Sequence, residues 1–105
     1  MVIVETPVFT RIIGSMLSDR EYSRIQVALA LRPAQGPVIP GTHGLRKIRW
    51  GQSGRGKRGG IRLIYFWDSQ NEIIYMIFAY EKSRQSDLTP SQIKALGKIV
   101  KEELL

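Results

Sequence analysis

The sequence predicts an α+β fold in which two N-terminal helices pack on a small antiparallel sheet and a C-terminal helix closes the domain. Three observations lead there. Two capped runs with helical apolar spacing precede residue 33, three β-prone segments occupy residues 45–80, and a third capped amphipathic run starts at Thr89. The chain has 105 residues, 43% of them hydrophobic. That is enough to bury a core and too short for two comfortable units, so residues 1–105 are expected to form one domain. No internal repeat or linker interrupts it.

Residues 2–4 are β-prone and form the expected first strand. Thr6 followed by Pro7 reads as an N-cap and a first-turn proline. Val8, Phe9, Ile12, Ile13 and Met16 then fall on one helical stripe. Ser18 and Glu21 have capping-box spacing and open a second helix, with Tyr22, Ile25, Ala28 and Leu29 on its buried face. Pro33 ends it, and the proline and glycine content of residues 33–44 marks an irregular connection.

Strands are expected at 45–50, 61–67 and 72–80. In the second, Ile61, Leu63, Tyr65 and Trp67 alternate with Arg62, Ile64 and Phe66. The polar turn Asp68-Ser-Gln-Asn71 makes the second and third strands an antiparallel hairpin. Thr89-Pro-Ser-Gln92 repeats the capping-box spacing with proline at the first helical position. Ile93, Leu96, Val100 and Leu104 give the last helix its apolar face, and Lys94, Lys98 and Lys101 face outward.

Charge points to the partner. The net charge is +7 and the sequence pI is about 10.2, which favours a polyanion. Its distribution says more than its total. No acidic residue lies between Glu21 and Asp68, whereas Arg24, Arg32, Arg46, Lys47, Arg49, Arg55, Lys57, Arg58 and Arg62 all do. A solvated face usually mixes signs, so a one-signed stretch is expected to hold an anion; a generally basic surface is the plainer alternative. The absence of cysteine excludes disulfides and thiolate chemistry. With neither a signal-peptide pattern in residues 1–9 nor an apolar run of membrane-spanning length, a cytoplasmic protein is expected.

Two motif matches fail on context. Residues 51–57 have Walker A spacing up to Lys57, but Arg58 stands where a Ser or Thr would reach Mg²⁺, and a strand follows where a phosphate site needs a helix. Gly54, Gly56 and Gly59 spell a dinucleotide fingerprint in the same wrong setting. What remains is the glycine-rich basic loop Gly51-Gln-Ser-Gly-Arg-Gly-Lys-Arg-Gly-Gly60 between two strands, able to bring backbone N–H groups and cations to a phosphate, or simply a solvated hairpin tip.

Arg46 and Lys47 on the strand before the loop and Arg62 on the strand after it tip the balance toward phosphate. Strands ~5 Å apart place such side chains within reach of one phosphate, and the planar arginine fork suits its oxygens. Tyr65, Trp67 and Tyr80 are either core residues or stacking platforms for bases. His43, the single histidine, has no partner at ligand spacing, so no metal site and no cofactor are expected.

The runs Gly44-Leu-Arg-Lys-Ile-Arg49 and Gly56-Lys-Arg-Gly-Gly-Ile-Arg-Leu-Ile-Tyr65, together with Ile77-Phe-Ala-Tyr-Glu-Lys82 and Ser86-Asp-Leu-Thr89, resemble the HigB branch of the RelE/ParE toxin superfamily. The resemblance covers nearly the whole chain, and its most specific part is the Gly-Lys-Arg-Gly-Gly-x-Arg stretch. It implies a toxin of a type II toxin–antitoxin system that cleaves mRNA on the ribosome, an endoribonuclease or mRNA interferase inhibiting translation. It also implies a cognate antitoxin, HigA-like and carrying a helix-turn-helix or acidic residues. Relatives of this kind use the ribose 2′-OH as nucleophile on the adjoining phosphate. That chemistry needs a base, positive charge on the pentacoordinate phosphorus and an acid at the 5′-oxygen.

Carried over by position, the resemblance assigns Arg62 to the phosphate and Lys57 to the 2′-OH, with Arg58 in the same basic loop. Arg46 and Lys47 would hold flanking backbone or ribosomal RNA, with Arg49 and Arg55 as further RNA contacts. Tyr80 would stack on a base and Lys82 would contact the phosphate. Some superfamily members carry a catalytic Tyr or His near the C-terminus; here a helix reaches Leu105 instead, which leaves the general acid open. Two other readings stand beside this one: a ParE-like inhibitor of DNA gyrase, and a plain RNA-binding module.

Overall fold

Three side-chain caps fix where the helices begin. Thr6 Oγ1 accepts from Phe9 N at 3.0 Å and opens α1 (Pro7–Met16). Ser18 Oγ accepts from Glu21 N at 3.2 Å and opens α2 (Asp19–Leu31). At α3 (Pro90–Ile99) the box is reciprocal: Gln92 N donates to Thr89 Oγ1 at 3.1 Å, and Thr89 N to Gln92 Oε1 at 2.9 Å. Each such cap stabilises its helix by about 1 kcal/mol. The computed structural model describes residues 1–52 and 56–105, the side chains of 52 and 56–59 excepted. α3 runs on into a π-helical turn, Val100–Leu104.

Four strands form one sheet in the order β1 (Val2–Glu5), β4 (Ile73–Glu81), β3 (Gly56–Asp68), β2 (Arg46–Gln52). The β2–β3 and β3–β4 pairs are antiparallel, as the hairpin turn requires. β1 departs from the expected all-antiparallel arrangement and runs parallel to β4, Val2 opposite Ile73 and Glu5 opposite Met76. Two helices separate β1 from the other strands, so no tight turn dictates its direction. Thr6 locks it in place, its N–H donating to Met76 O at 3.0 Å and its hydroxyl to Ile77 O at 2.9 Å.

Both faces of the sheet are covered, which explains why β3 lacks a polar face. Ile61, Leu63 and Tyr65, all wholly buried, join Phe9 and Ile13 of α1 and Ile25 and Leu29 of α2 in one core. Ile64 faces the other way, with Ile77, Leu88, Leu96 and Val100 in a second core beneath α3. The helical stripes are narrower than their spacing predicts: Ile12, Met16, Tyr22 and Ala28 are half-buried and Val8 is exposed. The lysines at 94, 98 and 101 face outward as expected.

One irregularity sets the orientation of everything after it on β4. Ile64 pairs with Phe78 but its neighbour Tyr65 pairs with Met76, leaving Ile77 as an extra residue. Such a bulge shifts the two-residue alternation. With strict alternation Tyr80 would share the face of Met76, under α1 and α2; with the bulge it joins the α3 side, opposite Arg62.

Candidate functional site

Alternation divides the basic residues of β2 between the two faces. Arg46, Ile48 and Trp50 point toward α1 and α2, where Ile48 is core and Trp50 packs against it. Lys47 and Arg49 therefore point to the α3 side. Register carries the row across the sheet: Arg49 lies opposite Arg62, and Arg62 opposite Tyr80. Lys82 follows directly after β4, its N–H donating to Gly60 O at 3.1 Å. Lys47, Arg49, Arg62 and Tyr80 thus share one patch beside the second core, with Lys82 next along the chain from its edge.

The energetics of that patch are unusual for a fold that is merely stable. Like charges directly opposite on neighbouring strands repel, and Arg49 and Arg62 are such a pair. Arg62 is also 3% exposed, so its charge is held largely out of water, with Nη1 donating to Ile61 O at 3.4 Å. Two opposed guanidinium groups with lysines beside them give this face the chemistry to accept an anion.

A carboxylate from outside the sheet reaches the patch. Asp87 precedes Leu88, which is anchored in the second core, and Thr89, which caps α3. These two anchors fix it. Its Oδ1 accepts from Leu88 N at 2.8 Å, from Lys47 Nζ at 3.3 Å and from the Tyr80 hydroxyl at 3.5 Å. The Leu88 N–H and the Lys47 ammonium hold the Asp87 carboxyl below its ordinary range. Burial, with the Asp87 charge and hydrogen bond, pushes Tyr80 up to about 12 against the opposing pull of Arg62 and Arg49. Tyr80 is therefore a protonated donor near neutral pH.

The expected site residues fare differently. Lys47, Arg49, Arg62 and Tyr80 come together, and Lys82 follows at the end of β4. Arg46 does not: its Nη1 donates to Ala34 O at 3.1 Å and Gly36 O at 2.8 Å, and it serves the connection before β2. Lys57 and Arg58 fall within the span of β3, but their side chains, and all of Arg55, lie outside the described residues. Of the three aromatic candidates, Tyr65 is wholly buried and Tyr80 is 4% exposed, so neither ring has a face open to a base. Trp67 is half-buried against the first core. His43 is exposed, with φ of 59°, beside α3 in a depression lined by Gly41, Lys94, Gly97 and Lys98.

Asp87 is the residue that sequence reasoning passed over as a site member. The signal was present in Ser86-Asp-Leu-Thr89, where an acid directly precedes a core leucine and an N-cap. Among the described residues no cluster of three or more His, Cys, Asp or Glu is arranged to hold a metal ion. No helix among them is long and apolar enough to cross a membrane. Residues 32–104 match the family model described as the RelE toxin of the RelE / RelB toxin-antitoxin system.

Proposed function

This chain belongs to the RelE toxin family, the toxin half of a toxin–antitoxin system, and on that premise we propose that it is an endoribonuclease cutting ribosome-bound mRNA. The observation that supports this most directly is the opposed pair Arg49 and Arg62, with Arg62 largely buried and Lys47 on the same face. Two guanidinium groups on strands ~5 Å apart can span the non-bridging oxygens of one phosphate.

In this reading the ribose 2′-oxygen attacks the adjoining phosphorus. The 2′-O–P bond forms as the P–O5′ bond breaks, leaving a 2′,3′-cyclic phosphate and a 5′-hydroxyl. Arg62 and Arg49 hold the charge that builds on the phosphoryl oxygens, so no metal is required. Lys57 takes the 2′ proton, a role that needs its pKa lowered by the surrounding cations. Lys82 steadies the phosphate. Tyr80 is assigned through its hydroxyl rather than its ring: it donates to Asp87 and so holds that carboxylate in place beside the cationic face. The 5′-oxygen is protonated by water or by a residue of the basic loop.

Translation would stop because codons are cut in the decoding site, in the cytoplasm. The antitoxin, HigA-like with a helix-turn-helix, would silence the toxin by laying an acidic segment over the Arg49/Arg62 face or by blocking ribosome entry at the N-terminal helices.

Arg62→Ala is the decisive variant. On programmed ribosomes, with primer extension to map cuts, it is expected to lose about 10²–10³-fold in cleavage rate, the cost of removing one transition-state donor. Arg62→Lys should recover only part, since an ammonium lacks the fork. Wild-type protein that leaves mRNA intact while impairing DNA supercoiling would move the assignment to gyrase inhibition. Tight RNA binding without any cut would leave only a binding module.

A further inference from the structure

The connection between α2 and β2 has no regular structure, yet several side-chain hydrogen bonds and a run of backbone pairing hold it. The buried Tyr65 hydroxyl donates to Pro33 O at 2.7 Å and accepts from Gly36 N at 3.0 Å. Arg46 grips Ala34 O and Gly36 O, and Gln35 Nε2 ties back to Ala28 O at 2.8 Å. Lys47 N donates to Pro37 O at 3.1 Å, and Ile39 N to Leu45 O at 2.7 Å, so the connection covers the outer edge of β2 as far as Lys47. A Cβ at position 36 would lie 2.8 Å from Lys47 O and 2.9 Å from Ile48 Cγ2. Glycine there lets the wall close against the strand.

Beyond Lys47 the cover stops. Peptide groups of successive residues in a strand point to opposite edges. Because Leu45 and Lys47 bond outward, Arg49 also turns its N–H and C=O outward, away from β3. No backbone hydrogen bond joins Arg49 to residues 33–44. The cleft left at this point has a volume of about 430 Å³ and is lined by Gln35, Gly36, Pro37, Lys47, Ile48 and Arg49. Lys47 and Arg49 line this cleft and also belong to the cationic face.

We infer that this cleft is a nucleobase subsite, in which the Arg49 N–H and C=O take the hydrogen-bonding edge of a base next to the phosphate held by Arg49 and Arg62. The inference rests on the RNA-cleaving reading above. The Arg49 peptide presents a donor and an acceptor side by side, as it would to a partner strand. The Watson–Crick edge of each nucleobase carries adjacent groups of the opposite kind, the edge proteins read in unstacked RNA. A protein strand has little to pair with here: Pro37 covers the edge up to Lys47, and the regular register of β2 breaks after Trp50, leaving less than the 3–10 residues of an ordinary strand. The rigid wall keeps the cleft open before RNA arrives, so the base meets a preformed site.

Titration of the intact protein, followed by ¹⁵N–¹H correlation spectra, separates base from phosphate. Inorganic phosphate is expected to move the Arg49 and Arg62 Nε signals alone. Each nucleoside monophosphate should move those and, in addition, the Gly36 and Arg49 backbone amides. Nucleotides that reproduce the phosphate pattern and add nothing at Gly36 or Arg49 overturn the subsite. A pair of variants tests it in catalysis. Arg49→Ala and Arg49→Pro both lose the guanidinium, but only proline lacks the N–H, and an edge strand tolerates it. Mapped on programmed ribosomes, Arg49→Pro should cut with a flatter base distribution than Arg49→Ala. Identical distributions in the residual cleavage of the two variants, beside a wild-type protein that cuts, defeat the subsite and leave the nuclease reading standing. A wild-type protein that does not cut defeats the nuclease reading, and the spectra still decide the subsite.

Discussion

At the scale of single residues, Asp87 ties the cationic face together. Its contact with Lys47 is exposed enough that the pair contributes roughly 0–1 kcal/mol to folding. Its effect on Tyr80 is electrostatic and directional: the carboxylate raises the phenol's titration while Arg62 and Arg49 lower it. Asp87→Asn preserves an acceptor for the Leu88 N–H and removes the charge. The Tyr80 phenol is then expected to titrate below its wild-type position of about 12, read from its ¹³Cζ shift against pH. An unmoved titration would mean that Asp87 does not face the hydroxyl in solution. The basic stretch ending at Arg62 was visible in the sequence because charge runs need no tertiary knowledge. The carboxylate that meets it was hidden, since it arrives from 25 residues further along the chain through the anchoring of Leu88 and Thr89.

At the scale of elements, what could be read and what could not separate by physical cause. Caps and helix starts were legible because a cap is local: Thr6, Ser18 and Thr89 each bond within three residues. The face of Tyr80 was not. Residues 73–80 read Ile-Ile-Tyr-Met-Ile-Phe-Ala-Tyr, with no polar position to mark a period, so the bulge at Ile77 left no trace in the pattern. The parallel pairing of β1 was equally silent, being decided by Thr6 and the helices between. Arg46 misled because charge alone cannot show which face of β2 it takes. Helix α3 offers a test of how the cationic face is backed. Gly97 is buried where α3 crosses residues 41–42, and a Cβ there would lie 2.9 Å from Gly41 O and 3.3 Å from Thr42 Cα. Backbone on both sides gives little room to yield. Gly97→Ala is expected to cost about 1–3 kcal/mol by overpacking, seen as a lower midpoint in urea. If the proposed RNA cleavage holds, it should weaken as well, because α3 follows directly on the Leu88–Asp87 anchor. An unchanged midpoint would show that the crossing relaxes freely.

At the scale of the whole molecule, the tyrosines make folding sensitive to alkali in a way the surface charge does not. Tyr22, Tyr65 and Tyr80 all titrate above the ordinary phenol value of 10.0, burial being the largest cause in each. Tyr22 is pushed further by the Glu5 carboxylate, whose Oε2 accepts its hydroxyl proton at 2.7 Å. A group whose folded pKa is raised holds its proton more tightly in the folded state. Its stabilisation is complete below the unfolded value and lost as pH climbs past it toward the folded one. The window here opens near pH 10 and extends through about 12 for Tyr80 and beyond for Tyr22. The three phenols sit in different places, Tyr22 against α1, Tyr65 under the connection wall and Tyr80 on the cationic face, so their losses should add. The melting temperature is therefore expected to hold between pH 7 and 9 and fall steeply above 10. Tyr80→Phe should make that fall shallower by one proton's worth of slope while leaving the neutral-pH plateau nearly in place. A melting temperature that stays level to pH 12 would mean that these hydroxyls ionise as freely in the folded protein as in the unfolded chain, and the packing that buries them would have to be redrawn.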